Sequence, residues 1–219
     1  MLLYRNKLAI QRTPIAVGYL VILAIFTALT QLSIFYHVDS NVFTLNQEQD
    51  RVLVSNLIGL SYLIVADQFI NMSFGQVMTI PLTYPVFKRE IANNMYHASA
   101  YFLAKLIASI LTFFIYPLLC TSFTIWFFGL QVLTFETFCS WWLDLSLVAF
   151  VGSAFGMMLG CLLTDGMNAI LVNNVCVILF TLGGGLFTNV NSSFLAKFLG
   201  WISPLKYGSE LILRRLLDG

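Results

Sequence analysis

The stretch Pro81–Lys105, PLTYPVFKREIANNMYHASAYFLAK, decides the fold of this 219-residue chain. It is a short polar and charged interruption between two apolar runs, each too long to be a core helix of a water-soluble domain. A segment so placed is held at a membrane surface. Lys88, Arg89 and Glu90 stand beside Asn93, Asn94 and His97, while Phe87, Ile91 and Tyr96 are available as anchors. The pattern predicts a separate surface helix of about two turns over Phe87–Tyr96, exposed on several faces and suited to docking by another protein element.

Working outward, composition sets the class. Hydrophobic residues make up 59% of the chain and charged residues only 10%, more apolar surface than a soluble domain of this size can hide. The chain is expected to be an all-α integral membrane protein. A net charge of +1, with no clustered basic stripe, excludes nucleic acid as a partner. Cys120, Cys139, Cys161 and Cys176 are scattered through or beside apolar runs without metal-ligand spacing, so no metal site and no disulfide framework is indicated.

Five spans are expected. Met1–Pro14 carries Arg5, Lys7 and Arg12 among leucines and isoleucine, a pattern for an amphipathic helix in the membrane interface on the cytoplasmic side. Ile15–Tyr36 has no charge and at roughly 33 Å crosses a bilayer core. It is a retained span, too long for a signal-peptide core. His37–Arg51 is acidic and lies outside; Lys88 and Arg89 return the Pro81–Lys105 loop to the N-terminal side. The second span falls within Val52–Ile80, the third runs Ser99–Gly129, the fourth about Cys139–Leu163 and the fifth Met167 to about Leu186, with Thr164-Asp165-Gly166 as a tight turn between the last two. Trp141 and Trp142 suit a headgroup boundary. Gly152, Gly156 and Gly160 repeat every four residues, the spacing that lets helix backbones approach closely in lipid. Packing within the chain is the favoured meaning, a seam between two copies the other.

After the fifth span the apolar pieces are only a few residues long. Lys197, Lys206, Arg214 and Arg215 contradict an outside location by simple charge counting. Either this segment is re-entrant, or a sixth helix is needed to bring the chain home.

Asp67 falls at the middle of the second span, where a charge costs roughly 2.5 to 3.5 kcal/mol. Three readings stand: a hydrogen-bonded or protonated structural carboxyl, a cavity-lining functional one, or an ion pair with Lys105. Asn71-Met72-Ser73 and Asn191-Ser192-Ser193 are both formal glycosylation sequons, and Asn191, just beyond the fifth span, is the better acceptor. The sequence holds no G-x-x-x-x-G-K-[ST] loop, so these residues do not themselves hydrolyse ATP.

Pro85-Val86-Phe87, Arg89-Glu90, Met95-Tyr96 and Ala100–Lys105 match the first cytoplasmic loop of the G (white) subfamily of ABC transporters, and the chain resembles that subfamily's transmembrane domain. Thr83 and Tyr84 stand where the subfamily has Glu-Arg. Ser203, Pro204, Tyr207 and Glu210 match its S-P-x-x-Y-x-x-E signature, and Asn71–Gly75 resembles its N-Q-S-F-G run. The resemblance covers nearly all of the chain and implies a single, partial exporter-type transmembrane domain that stops before the sixth helix. It implies a cytoplasmic coupling helix acting through Phe87, Arg89, Glu90 and Tyr96 on a nucleotide-binding domain, which alone would hold ATP and Mg. It further implies a homo- or heterodimer in the membrane, a substrate cavity lined by Asn71, Phe74, Ile178 and Thr181, and an apolar plug of Leu186 and Phe187. Lipids, sterols or xenobiotics are the expected cargo. The alternative is a non-transporting membrane subunit that pairs with and regulates full half-transporters.

Overall fold

The structure, a computed structural model, describes residues 14–34, 47–128, 135–163, 165–184 and 194–218. These form seven helices and, among the described residues, no strand: α1 (Pro14–Ile34), α2 (Gln47–Ala92), α3 (Ala98–Phe128), α4 (Phe135–Leu162), α5 (Gly166–Gly183), α6 (Phe194–Ile202) and α7 (Pro204–Asp218). Lipid admits only helices or closed barrels, because every backbone N–H and C=O must find a partner within the protein, and apolar runs of this length select helices. Helices α2 to α5 each contain a stretch long and apolar enough to cross a membrane. The first expected span coincides with α1, whose apolar stretch Leu20–Ile34 is shorter. The amphipathic helix expected before Pro14, and Leu186, Phe187 and Asn191, lie outside the described residues.

Helix α2 is the axis of the bundle. It packs most extensively on α4 and also meets α5 and α7, while α1 lies chiefly on α3. The contact with α4 is made possible by the glycine repeat. A Cβ on Gly152 would stand 2.6 Å from the Phe69 carbonyl oxygen and one on Gly160 2.9 Å from Ile80 Cβ, while one on Gly156 would strike the Ser73 backbone. Of the two meanings left open, packing within the chain is therefore the one realised. Where the backbones touch, the side chains around them close the core: Phe69 is fully buried, with the Phe155 and Phe180 rings each 5.9 Å away and 5.3 Å from one another, tying α2, α4 and α5 together.

Helices α4 and α5 form the expected hairpin. Asp165 caps α5, accepting from the Met167 N–H at 3.3 Å and the Asn168 amide at 2.9 Å. Only one stripe of α5 (Ala169, Asn173, Val177 and Gly183) is buried. Its other faces are apolar and exposed, as suits a helix bordering lipid or another chain.

Two expectations need correction. The segment after Pro81 is not a separate helix: α2 runs uninterrupted through Pro81 and Pro85 to Ala92, so the proposed coupling helix is the last turns of α2. Proline removes one N–H and clashes with the preceding turn, yet neither proline ends the helix, and Thr83 bonds back to the Thr79 and Ile80 carbonyls at 3.1 and 3.0 Å. Trp141 does not face the membrane surroundings but is buried in the cluster with Leu60, Leu205 and Ile212; the Trp142 indole N–H donates to the Phe114 carbonyl at 2.9 Å.

The segment read as re-entrant is two short helices turned back onto the bundle. Helix α6 rides on α5, with Gly183 against the Leu199 backbone and the Ser203 hydroxyl donating to the Phe180 carbonyl at 2.8 Å. Helix α7 lies in the groove between α2 and α4, where Gly208 leaves room for Val65 and Val148.

Candidate functional site

The tip between α2 and α3 is ordered by rings. Asn94, at φ 54°, occupies the left-handed region that asparagine tolerates, and this reversal ends α2. The Phe87 ring centre sits 4.6 Å from that of Tyr101, and the Tyr96 ring lies nearly parallel to Tyr101 with its centre 6.2 Å away. The Tyr96 hydroxyl donates to the Glu90 carboxylate. Three of the four residues expected at the coupling surface, Phe87, Glu90 and Tyr96, are thus joined around Tyr101, which sequence reasoning did not single out. The fourth, Arg89, is exposed.

About 33 Å along α2 from Arg89 stands Asp67. Its carboxylate accepts from the Asn71 amide at 2.7 Å and from the Tyr116 hydroxyl of α3 at 3.0 Å, and Asn71 also reaches the Tyr116 oxygen at 2.9 Å. Of the three readings of Asp67, the structure shows the hydrogen-bonded one. Lys105 is not its partner: the ammonium donates to the Thr83 hydroxyl at 3.1 Å. The result is a polar triad on the α2–α3 face, with Tyr116 fully buried.

The four residues expected to line a cavity are placed differently from one another. Asn71 is committed to the triad. Phe74 and Ile178 are 38% and 57% exposed, so each faces away from the protein interior of a single chain. The Thr181 hydroxyl donates to the Ile178 carbonyl at 2.7 Å, while its own carbonyl accepts from the Tyr62 hydroxyl at 2.7 Å. Helices α2 and α5 are joined behind Phe74 by the Ser73 hydroxyl, which donates to the Asn173 side-chain oxygen at 2.5 Å, both residues buried.

The ion pair between Asp144 of α4 and Arg215 of α7, at 2.5 Å, was also missed. An aspartate inside an apolar run needs a partner, and that signal was available in the sequence.

The chain belongs to the ABC-2 type transporter family, whose pattern matches residues 1–216, and the apolar helical bundle with its ordered tip is that family's membrane domain. Among its relatives is Protein white of Ceratitis capitata, 31% identical over 170 residues, covering 77% of this chain and 25% of that protein. Protein white of Drosophila melanogaster is 28% identical over 212 residues, 96% of this chain and 29% of that one. The ABC transporter ATP-binding protein/permease wht-1 of Caenorhabditis elegans is 24% identical over 214 residues, 96% and 30% of the two chains. The chain thus spans between a quarter and a third of the length of these relatives. It is a transmembrane domain of the white type, without the nucleotide-binding sequence.

Proposed function

We propose that these 219 residues are the membrane-spanning part of an ATP-driven exporter of lipids, sterols or other apolar and amphipathic molecules. It works as a dimer, driven by a nucleotide-binding domain that holds ATP and Mg and lies outside these residues. The observation that carries the reading is the continuity of α2. Asn71 and Phe74, on the candidate substrate face, share one unbroken helix with Phe87, Arg89 and Glu90, so a push on the tip moves the substrate face without a joint between them. The name of the wht-1 relative, which joins an ATP-binding protein to a permease, supports the same division of labour. Phe74 and Ile178, exposed in one chain, become cavity walls when a second chain covers them, with Thr181 beside Ile178 and Leu186 and Phe187 closing the outer end.

Coupling is tested at the tip. In a reconstituted dimer with its nucleotide-binding domains, Arg89→Ala and Glu90→Ala are expected to lower substrate-stimulated ATP turnover several-fold while leaving membrane insertion intact. Glu90→Ala should have the larger effect, because it also releases Tyr96 from the ring stack. Unchanged stimulation in both variants would reduce the tip to a connector, whereas a dimer whose ATP turnover no substrate stimulates would favour a non-transporting subunit.

Orientation has its own check. The charge balance of the first three loops favours an N-terminus in the cytoplasm and Asn191 outside. Glycosylation mapping in microsomes should modify Asn191, and modification of a sequon engineered at Asn93 instead would invert the topology.

A further inference from the structure

Beside the ring stack the α2–α3 end of the bundle contains a cavity of about 180 Å³, walled by Thr83, Tyr84, Phe87, Tyr101, Phe102 and Cys161. Tyr84 and Phe102 are exposed at its rim. Its polar edge is a chain of three groups: the Tyr101 hydroxyl and the Lys105 ammonium each lie 3.1 Å from the Thr83 hydroxyl, and the ammonium stands 6.0 Å from the Tyr101 ring centre. Among the described residues no carboxylate lies within ion-pairing distance of Lys105; Glu90 of the same end takes the Tyr96 hydroxyl.

Depth along the helix locates this cation. Lys105 precedes the exposed Trp126 by 21 residues, about 31 Å of helix, which is the thickness of a hydrocarbon core. With Trp126 at one boundary, Lys105 stands at the other, where headgroup phosphates and carboxylates lie. An ammonium held half-buried at that level, with the Thr83 hydroxyl, the Tyr101 ring and the Cys161 thiol as its neighbours, lacks the anion that would offset its desolvation. A cavity of 150 Å³ holds a benzene-sized group, so this one takes the first part of a chain or a glycerol unit, not a whole sterol.

We propose that this is a binding site for one anionic phospholipid of the adjoining leaflet. The headgroup anion sits on Lys105, with the Tyr101 and Thr83 hydroxyls as hydrogen-bond partners, and the upper acyl methylenes lie between Phe87 and Phe102. Zwitterionic phosphatidylcholine is disfavoured, because its headgroup carries no net negative charge to set against the Lys105 ammonium. The inference is independent of cargo and of whether the chain exports anything.

Spin-labelled lipids in phosphatidylcholine vesicles containing the full chain provide the test. Labelled phosphatidylserine should be retained at the protein at least threefold more strongly than labelled phosphatidylcholine. That preference should fall to near one in Lys105→Gln, persist in Lys105→Arg and in Lys88→Gln, and fade in 1 M salt, where the screening length is about 3 Å. Should Lys105→Gln fail to fold, the salt titration and the two folded variants carry the test. Equal retention of the two lipids by the wild type, a preference that survives in Lys105→Gln or in 1 M salt, or one lost with Lys88 would each overturn the proposal.

Discussion

Replacing Gly156 by leucine is expected to leave a chain that inserts into the membrane but does not close its bundle. The position of a Cβ at Gly156 is already taken by the Ser73 backbone. Inserting extra methylenes into a packed core costs typically 1 to 3 kcal/mol when side chains can yield. Here the obstacle is main chain in the interior of α2, so the cost should exceed about 3 kcal/mol out of a total stability of about 5 to 15. Loss of the monodisperse peak in detergent, or a melting temperature far below wild type, is the expected result, with Gly156→Ala falling between. Gly18 is the control: a Cβ there meets nothing within 4 Å, and Gly18→Ala should match wild type or gain up to about 1 kcal/mol from helix propensity. A Gly156→Leu variant that melts like wild type would remove the α2–α4 seam from the account.

The second large effect is expected at Arg215. Its guanidinium is 42% exposed, but the Asp144 carboxylate it meets is only 10% exposed. Truncating the arginine therefore strands a charge rather than merely losing an ion pair. Breaking a buried pair from one side costs about 3 to 5 kcal/mol, and the open side of Arg215 argues for the lower end, about 3. Arg215→Met should unfasten α7, seen as faster amide exchange over 204–218, whereas Arg215→Met with Asp144→Leu should recover much of the loss. A double variant no better than the single would show that Arg215 acts by packing alone.

How much of this was legible in the sequence differs from one element to the next. The glycine repeat of α4 could be read correctly because a four-residue spacing of absent side chains has few other uses in lipid. The α4–α5 hairpin was equally plain, since Thr164-Asp165-Gly166 sits between two long apolar runs. The continuity of α2 was not. Prolines at 81 and 85 beside Lys88 and Arg89 look like a stop signal, but a proline forfeits only one hydrogen bond per ring, and at the end of a long apolar helix Thr79 and Thr83 supply hydroxyls to nearby carbonyls. Helix α7 was hidden for another reason. Leu205, Gly208 and Ile212 recur on one face, a helical period that counting consecutive apolar residues does not register. The triad at Asp67 was half legible: the intramembrane carboxyl announced a need for partners, while Tyr116, 49 residues away, needed the fold to be found.

The seam between α2 and α4 also sets a timetable. Ribosomes deliver α2 first, and the residues of α4 that shelter its backbone follow about 80 positions later, some 4 to 16 seconds at 5 to 20 residues per second. For that interval the Ser73 hydroxyl and the Asp67 carboxyl stand in a nascent α2 whose glycine-faced partner has not been made, and Asn173 has not yet arrived to receive the serine. The chain therefore completes its central helix pair late, when the α4–α5 hairpin arrives, and quality control in the cell has a window set by sequence order rather than by folding speed.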